Sequence, residues 1–206
     1  MGLPLLIILG SETLKTPLVA TIFSSLVYIL SFVFLLLTFK YIKPLKAPVT
    51  RSELGLNNLT TFSDIGLALA GLFGYLAFSA ILTALFSVFP WFNLTETQPL
   101  LYSTLISPSG KILAALALVV AGPILEEVIY RGLIYGKLRK NHSLITSILT
   151  VSVLFGFLHG QWNVGVDVFA LSVVACLMRE TTGTIYAGII LHMLKNTIAF
   201  YMLFIV

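Results

Sequence analysis

The sequence predicts an all-α membrane protein, a polytopic transmembrane helical bundle of about six spans with an intramembrane polar cavity. Three observations indicate this fold class. The chain of 206 residues is 58% hydrophobic and only 10% charged, which is far more apolar than a soluble domain needs. Its apolar residues form runs of roughly 20, the length of a helix that crosses a bilayer. Ionisable side chains recur inside the later runs, and charges at membrane depth usually face the interior of a bundle.

The N-terminal part of the chain, residues 1–110, supplies the first two predicted spans and a polar loop. The first span extends from about Leu18 to Tyr41, and the second from about Ile65 to Phe89. Residues 1–10 are apolar but too short to cross a membrane. No signal peptide is expected there, because a basic start and a cleavage site are missing.

The C-terminal part of the chain, residues 111–206, is predicted to form a catalytic core of four membrane helices. These predicted spans extend from about Lys111 to Leu138, Leu144 to His159, Val166 to Met178, and Thr184 to the C-terminus. Lys and Arg concentrate in the loops after the first, third and fifth spans. Because positively charged loops remain in the cytoplasm, both termini are expected on the other side.

Composition also limits the partners of the chain. The formal net charge is +4, but no basic face with base-stacking aromatic residues is present, so nucleic acid is not an expected partner. A single cysteine, Cys176, excludes an intrachain disulfide. The expected surroundings are the lipid bilayer.

Polar residues at membrane depth recur on four of the predicted spans. Residues four apart share one face of a helix, so Glu127 can pair with Arg131, and His192 and Asn196 can point at one place. Glu126 lies about 100° around the helix from Glu127 and is free for another role. The full set is Glu126, Glu127, Arg131, His159, Asp167, His192, Lys195 and Asn196.

Side chains of these types can hydrolyse a peptide bond. A carboxylate beside an imidazole can hold a water molecule and accept its proton. A second imidazole and an amide can donate hydrogen bonds to the oxyanion that forms on a carbonyl. Pro123, just before the glutamates, removes one helix hydrogen bond and favours a hydrated pocket. The polar residues therefore make the chain a candidate hydrolase.

Each group also has a simpler structural explanation. Two glutamates and an arginine often mark a solvated helix end, and His192 with Asn196 could be a hydrogen-bonding contact between helices. Asp167 and Lys195 either neutralise each other across the fifth and sixth spans or line the cavity. The hydrolase hypothesis depends on the joint presence of these groups on separate spans.

Three motifs resemble the CAAX protease and bacteriocin-processing (CPBP, or Abi) family of intramembrane proteases. They are Glu126-Glu127-x-x-x-Arg131, Phe155-x-x-x-His159 and His192-x-x-x-Asn196. The resemblance covers roughly residues 111–200. Lys195 departs from the family pattern, because an uncharged residue is commoner inside the last motif.

The resemblance implies an integral, multi-pass enzyme of a prokaryotic cell membrane. Glu126, assisted by His159, would activate the water, and His192 with Asn196 would form the oxyanion site. The reaction would be endoproteolysis near a membrane-embedded or prenylated C-terminus, so the expected substrate is a peptide or a lipidated protein.

The resemblance also bears on the remaining site residues and on cofactors. Glu127 and Arg131 would form a structural or substrate-orienting pair. No cofactor is required by a glutamate–water mechanism, whereas Glu126, His159 and His192 would be the ligands if zinc were bound.

Two other classes of function remain open from the sequence. One is a non-catalytic membrane scaffold or bacteriocin self-immunity protein, in which the polar cluster would be a binding pocket. The other is an ion or proton transporter that uses Glu126, Glu127 and Lys195, since intramembrane carboxylates also relay protons.

Overall fold

A computed structural model describes residues 50–57, 59–96 and 108–205. Over these ranges the chain is helical and contains no β-strand, which confirms the all-α prediction for this part of the protein. The predicted first span and residues 1–10 lie outside the described residues. The helices are α1 (Phe62–Phe86), α2 (Pro108–Leu138), α3 (Leu144–Phe157), α4 (Trp162–Thr182) and α5 (Tyr186–Phe204).

Three of these helices, α1, α2 and α5, are long and apolar enough to cross a membrane. Helix α3 is also apolar but has 14 residues, which at about 1.5 Å per residue is shorter than a hydrocarbon core of about 30 Å. Helix α4 has 21 residues, but Asp167, Arg179 and Glu180 make it more polar. The prediction of six spans is therefore supported at three helices, and the other spans and the polar cavity stay predictions.

Local sequence accounts for several helix ends. Thr61 and Asp64 form a reciprocal capping box at the start of α1, in which each side chain accepts a hydrogen bond from the other's backbone N–H. Ser143 caps α3 by accepting a hydrogen bond from the Thr146 N–H. Helix α4 ends at Thr182 and is capped by Gly183, whose φ of 70° lies in the left-handed region that glycine adopts readily. These signals place the starts of α1 and α3 and the end of α4.

Helix α2 departs from regular α-helical geometry on both sides of Gly122-Pro123. Residues Leu116–Ala121 and Val128–Tyr135 form π-helical turns. The Gly122 N–H donates to the Ala117 carbonyl, five residues earlier. Turns of this kind occur frequently at functional sites, and here they bracket the two glutamates.

The described residues fall into two compact units. The first contains residues 108–125 and 196–205, and the second contains residues 50–57, 59–96 and 126–195. In the first unit, Ala114 is buried against Leu118 and Phe200. The Lys111 ammonium there donates a hydrogen bond of 2.7 Å to the Phe204 carbonyl.

Helix α4 is central to the second unit and packs against both α1 and α3. Two glycines bring α3 and α4 into close contact, because a Cβ on Gly156 would lie 2.7 Å from the Gly165 carbonyl oxygen. Small residues permit such close helix packing in membranes. The short turn between these helices carries His159, so this contact helps to position that side chain.

Charged residues from three segments of the chain meet at one end of the second unit. Lys140 pairs with Glu53 at 2.6 Å, and Arg139 pairs with Glu180 at 2.8 Å. The Arg179 guanidinium also donates to the Glu53 carbonyl at 3.2 Å. These segments are the ends of the loops after the first, third and fifth predicted spans. Their meeting agrees with the expectation that these loops remain on one side of the membrane.

Candidate active site

Glu127 connects α2 to α5 at the centre of the second unit. Its Oε1 atom accepts hydrogen bonds from Arg131 Nη1 at 2.8 Å and from His192 Nδ1 at 3.0 Å. The side chains of Glu127 and Arg131 are both fully buried. The contact with Arg131 is the one that the four-residue spacing predicts, whereas the contact with His192 could not be predicted from spacing.

Glu127 determines which nitrogen of His192 carries a hydrogen. A carboxylate paired with a guanidinium only accepts hydrogen bonds, so Nδ1 of His192 must be the donor. The other ring nitrogen, Nε2, lies 3.7 Å from Oε2 of Glu126. His192 can therefore donate from Nε2 only as an imidazolium, because the neutral ring with hydrogen on Nδ1 is an acceptor at Nε2.

Glu126 and His159 are the more accessible pair of the predicted site. The Glu126 side chain is 29% exposed, which leaves room for water beside it. The Nδ1 atom of His159 lies 2.7 Å from the Phe155 carbonyl oxygen, so Nδ1 carries the hydrogen and Nε2 is left as an acceptor. His159 interacts electrostatically with both Glu126 and His192. The structure thus brings Glu126, His159 and His192 near one another.

Phe155 contacts both histidines. Its buried ring packs edge-on against the rings of His159 and His192, with centroid distances of 4.9 and 5.9 Å. The Arg131 guanidinium carbon lies 4.6 Å from its centroid, in a cation–π contact. From the sequence, Phe155 was named only as the first residue of the motif Phe155-x-x-x-His159, and its position four residues before His159 was the only sign that it contacts the site.

Asn196 fills a gap in the backbone hydrogen bonding of the first unit. Its Nδ2 atom donates to the Leu118 carbonyl at 2.8 Å. That carbonyl lacks its usual helical donors, because the Gly122 N–H bonds to Ala117 instead and Pro123 has no N–H. The role of Asn196 in an oxyanion site stays a prediction, while its contact with Leu118 gives it a structural role.

Asp167 and Lys195 pair with each other, which was one of the two alternatives that the sequence left open. The Lys195 ammonium lies 3.4 Å from Oδ2 of Asp167. Oδ1 of Asp167 accepts two further hydrogen bonds of 2.6 Å, from the Tyr75 hydroxyl and the Ser79 hydroxyl. Tyr75 and Ser79 were not predicted as partners of Asp167, although their four-residue spacing on an apolar helix places both hydroxyls on one face.

The described part of the chain contains no group of three His, Cys, Asp or Glu side chains arranged to hold a metal ion. Glu126, His159 and His192 are the residues that the sequence named as zinc ligands. Zinc binding by these three residues stays a prediction.

Comparison with known proteins supports the family resemblance that the three motifs indicate. Residues 108–198 match the family described as "Type II CAAX prenyl endopeptidase Rce1-like". This range contains all three motifs, so the resemblance to the CAAX protease and bacteriocin-processing family is confirmed. No solved structure matches the chain.

A curated relative supports the same assignment over a shorter segment. The candidate membrane peptidase YdiL of Bacillus subtilis (strain 168) is 31% identical over 78 residues, which are 38% of this chain and 32% of the relative. The match therefore spans about a third of that relative's length. Together with the apolar helices, these matches identify the chain as a multi-pass integral membrane protein.

Proposed function

Because residues 108–198 are similar to the CAAX-type membrane endopeptidases, we propose that the chain is an intramembrane endopeptidase. Its substrate would be a peptide or lipidated protein, cut near a membrane-embedded or prenylated C-terminus. One observation carries this proposal. His192 lies between two glutamates, 3.0 Å from Glu127 and 3.7 Å from Glu126, and interacts electrostatically with His159.

In the proposed reaction, Glu126 acts as the general base. A water molecule beside its partly exposed carboxylate donates a proton to Glu126 as the water oxygen attacks the peptide carbonyl carbon. His159 assists by accepting the second water hydrogen in a hydrogen bond at Nε2. When the tetrahedral intermediate collapses, the C–N bond breaks, and the proton on Glu126 passes to the leaving amine. The products are a carboxylic acid and an amine, and the acid proton then passes to the amine to give a carboxylate and an ammonium, so the reaction consumes one water.

His192 would stabilise the oxyanion of that intermediate. Glu127 holds Nδ1 of His192 at 3.0 Å, which fixes the ring so that Nε2 lies on the Glu126 side, 3.7 Å from that carboxylate. An imidazolium donates from Nε2 to the negative oxygen as it develops. Asn196 would be the second donor only after its amide leaves the Leu118 carbonyl. We therefore assign the larger share of oxyanion stabilisation to His192.

We propose that this reaction proceeds without a metal. The competing hypothesis is a zinc enzyme with Glu126, His159 and His192 as ligands. A carboxylate on Nδ1, as Glu127 is on His192, also orients zinc-bound histidines. Chelation therefore has to be part of the test.

The test is cleavage of a defined peptide by the purified chain in lipid vesicles. Peptides with a prenylated and an unprenylated C-terminal cysteine motif are incubated with the protein, and the products are identified by mass spectrometry. We expect cleavage within a few residues of the C-terminus, with a rate that a chelator leaves unchanged. Loss of cleavage on chelation, with recovery on adding zinc, would reject the metal-free mechanism. A folded protein that cleaves neither peptide would contradict the endopeptidase proposal.

A further inference from the structure

A second charged cluster lies beside the candidate active site, on the same helix as His192. Lys195 is three residues after His192 on α5, and residues three apart share one side of a helix. Its ammonium also interacts electrostatically with His159. The glutamate–water mechanism uses no lysine. A cation at membrane depth is energetically costly, so it usually pairs with an anion or takes part in function.

Asp167 is held in place independently of Lys195. The Tyr75 and Ser79 hydroxyls both donate to its Oδ1 atom, at 2.6 Å each. Both hydroxyl-bearing residues are buried on α1. Asp167 therefore has two short hydrogen bonds that would remain if the ammonium shared its charge with another anion.

Lys195 retains hydrogen-bonding capacity. Its ammonium has three donors, yet its contact with Asp167 is an ion pair of 3.4 Å. The contact does not meet the geometry of a hydrogen bond. Within the described residues it is the one ion pair of Lys195, whose side chain is 17% exposed. The ammonium can therefore approach a second anion without losing a strong contact.

We propose that Lys195 is an anion-binding subsite that holds the C-terminal carboxylate of the peptide substrate. The inference rests on the proposed function, because a substrate cut near its C-terminus brings a free carboxylate close to the scissile bond. Without a cation, that carboxylate would meet the negative charges of Glu126 and Asp167. Asp167 is a positioning residue in this account, and it keeps the ammonium directed at the site.

The test compares two peptides of one sequence, one with a free C-terminal carboxylate and one with a C-terminal amide. Assays in vesicles of zwitterionic lipid keep net-charged headgroups away from the ammonium. We expect the chain to cleave the acid with a kcat/KM about tenfold or more above that of the amide, since hydrogen bonds to charged groups are the strong ones. In Lys195→Met the ratio should fall to about 1. Lys195→Arg should keep a clear preference for the acid.

A matched control is available at Lys137, an exposed lysine near the end of α2. Lys137→Met should keep the full ratio of acid to amide cleavage. Asp167→Asn should lower the ratio of acid to amide cleavage even though Lys195 is still present. Loss of a purely structural ion pair would not change that ratio. Thermal unfolding in detergent shows whether each variant is folded.

Several outcomes would overturn the proposal. They are an acid-to-amide ratio near 1 in the unmodified chain, an unchanged ratio in folded Lys195→Met, or equal loss of both cleavages in that variant. If the unmodified chain cleaves neither peptide, the endopeptidase proposal itself fails, and the two failures are thereby distinguished.

Discussion

Oε1 of Glu127 accepts a hydrogen bond of 3.0 Å from Nδ1 of His192, a residue 65 positions away in the sequence. A carboxylate on Nδ1 that fixes the orientation and tautomer of a histidine is the arrangement of hydrolase triads. Here the carboxylate is also neutralised by Arg131 at 2.8 Å. Glu127 therefore links the stability of the buried core to the orientation of the proposed oxyanion donor.

Removal of the Glu127 charge should destabilise the protein. Glu127→Gln leaves Arg131 buried without a counter-ion, and breaking a buried pair from one side costs about 3–5 kcal/mol. We expect a clearly lower Tm in detergent together with loss of peptide cleavage. An unchanged Tm would show that Arg131 has another counter-ion.

A double variant separates stability from catalysis at this pair. Glu127→Leu with Arg131→Met removes both charges and should recover most of the lost stability. Cleavage should stay low, because His192 then has no acceptor at Nδ1. Cleavage at the level of the unmodified chain would exclude Glu127 as the residue that positions His192.

Gly188 is expected to be essential for the approach of α5 to α2. A Cβ at this position would lie 2.9 Å from Oε2 of Glu127, so Gly188→Ala should displace the carboxylate and lower both Tm and activity. The matched control is Gly74→Ala on α1, where no atom lies within 4 Å of the added Cβ. That variant should unfold at the same temperature as the unmodified chain or slightly above it.

Asn196 and Pro123 should be coupled energetically. Asn196→Ala leaves the Leu118 carbonyl without its donor, at a cost of about 1–3 kcal/mol for an unsatisfied buried group. In a Pro123→Ala background, residue 123 regains an N–H that can serve that carbonyl, so the same change should cost less. The measurement is a double-mutant cycle on thermal stability. Additive effects would contradict the assignment of Asn196 to this carbonyl.

The Glu53–Lys140 pair predicts a pH dependence of stability. Hydrogen bonding to Lys140 lowers the pKa of the exposed Glu53 carboxyl from 4.5 to about 2. A depressed pKa in the folded state contributes stability above the ordinary pKa, and this contribution is lost as pH falls from about 4.5 toward 2. The Tm difference between the unmodified chain and Glu53→Gln should therefore be small and positive near pH 7 and shrink below pH 4.5. A Tm difference between the two proteins that grows as the pH falls would contradict this prediction.

The helices could be predicted because hydropathy and length depend on the local sequence alone. The predicted second span, Ile65–Phe89, corresponds to the observed Phe62–Phe86. The capping box at Thr61, which accounts for the earlier start, was not used in the prediction. The fifth predicted span began at Val166, whereas α4 begins at Trp162, since Asn163 and Gly165 lower the local hydropathy without breaking the helix.

Contacts within one helix turn could also be predicted, but contacts between helices could not. The Glu127–Arg131 pair follows from helical periodicity. The Glu127–His192 contact depends on the register of α2 against α5, and nothing in residue spacing fixes that register. The π-helical turn at Val128–Tyr135 shifts the register further from that of a regular helix.

The central claim is that Glu126 activates water for peptide hydrolysis, and the most direct test is the cleavage rate of Glu126→Gln. The amide keeps the shape of the side chain but cannot accept the proton, and general-base catalysis contributes about 10²–10⁴-fold. We predict at least a hundredfold loss of cleavage of the prenylated peptide, with an unchanged Tm. The control Glu96→Gln, at an exposed glutamate, should cleave normally. Cleavage by folded Glu126→Gln at the rate of the unmodified chain would contradict the claim.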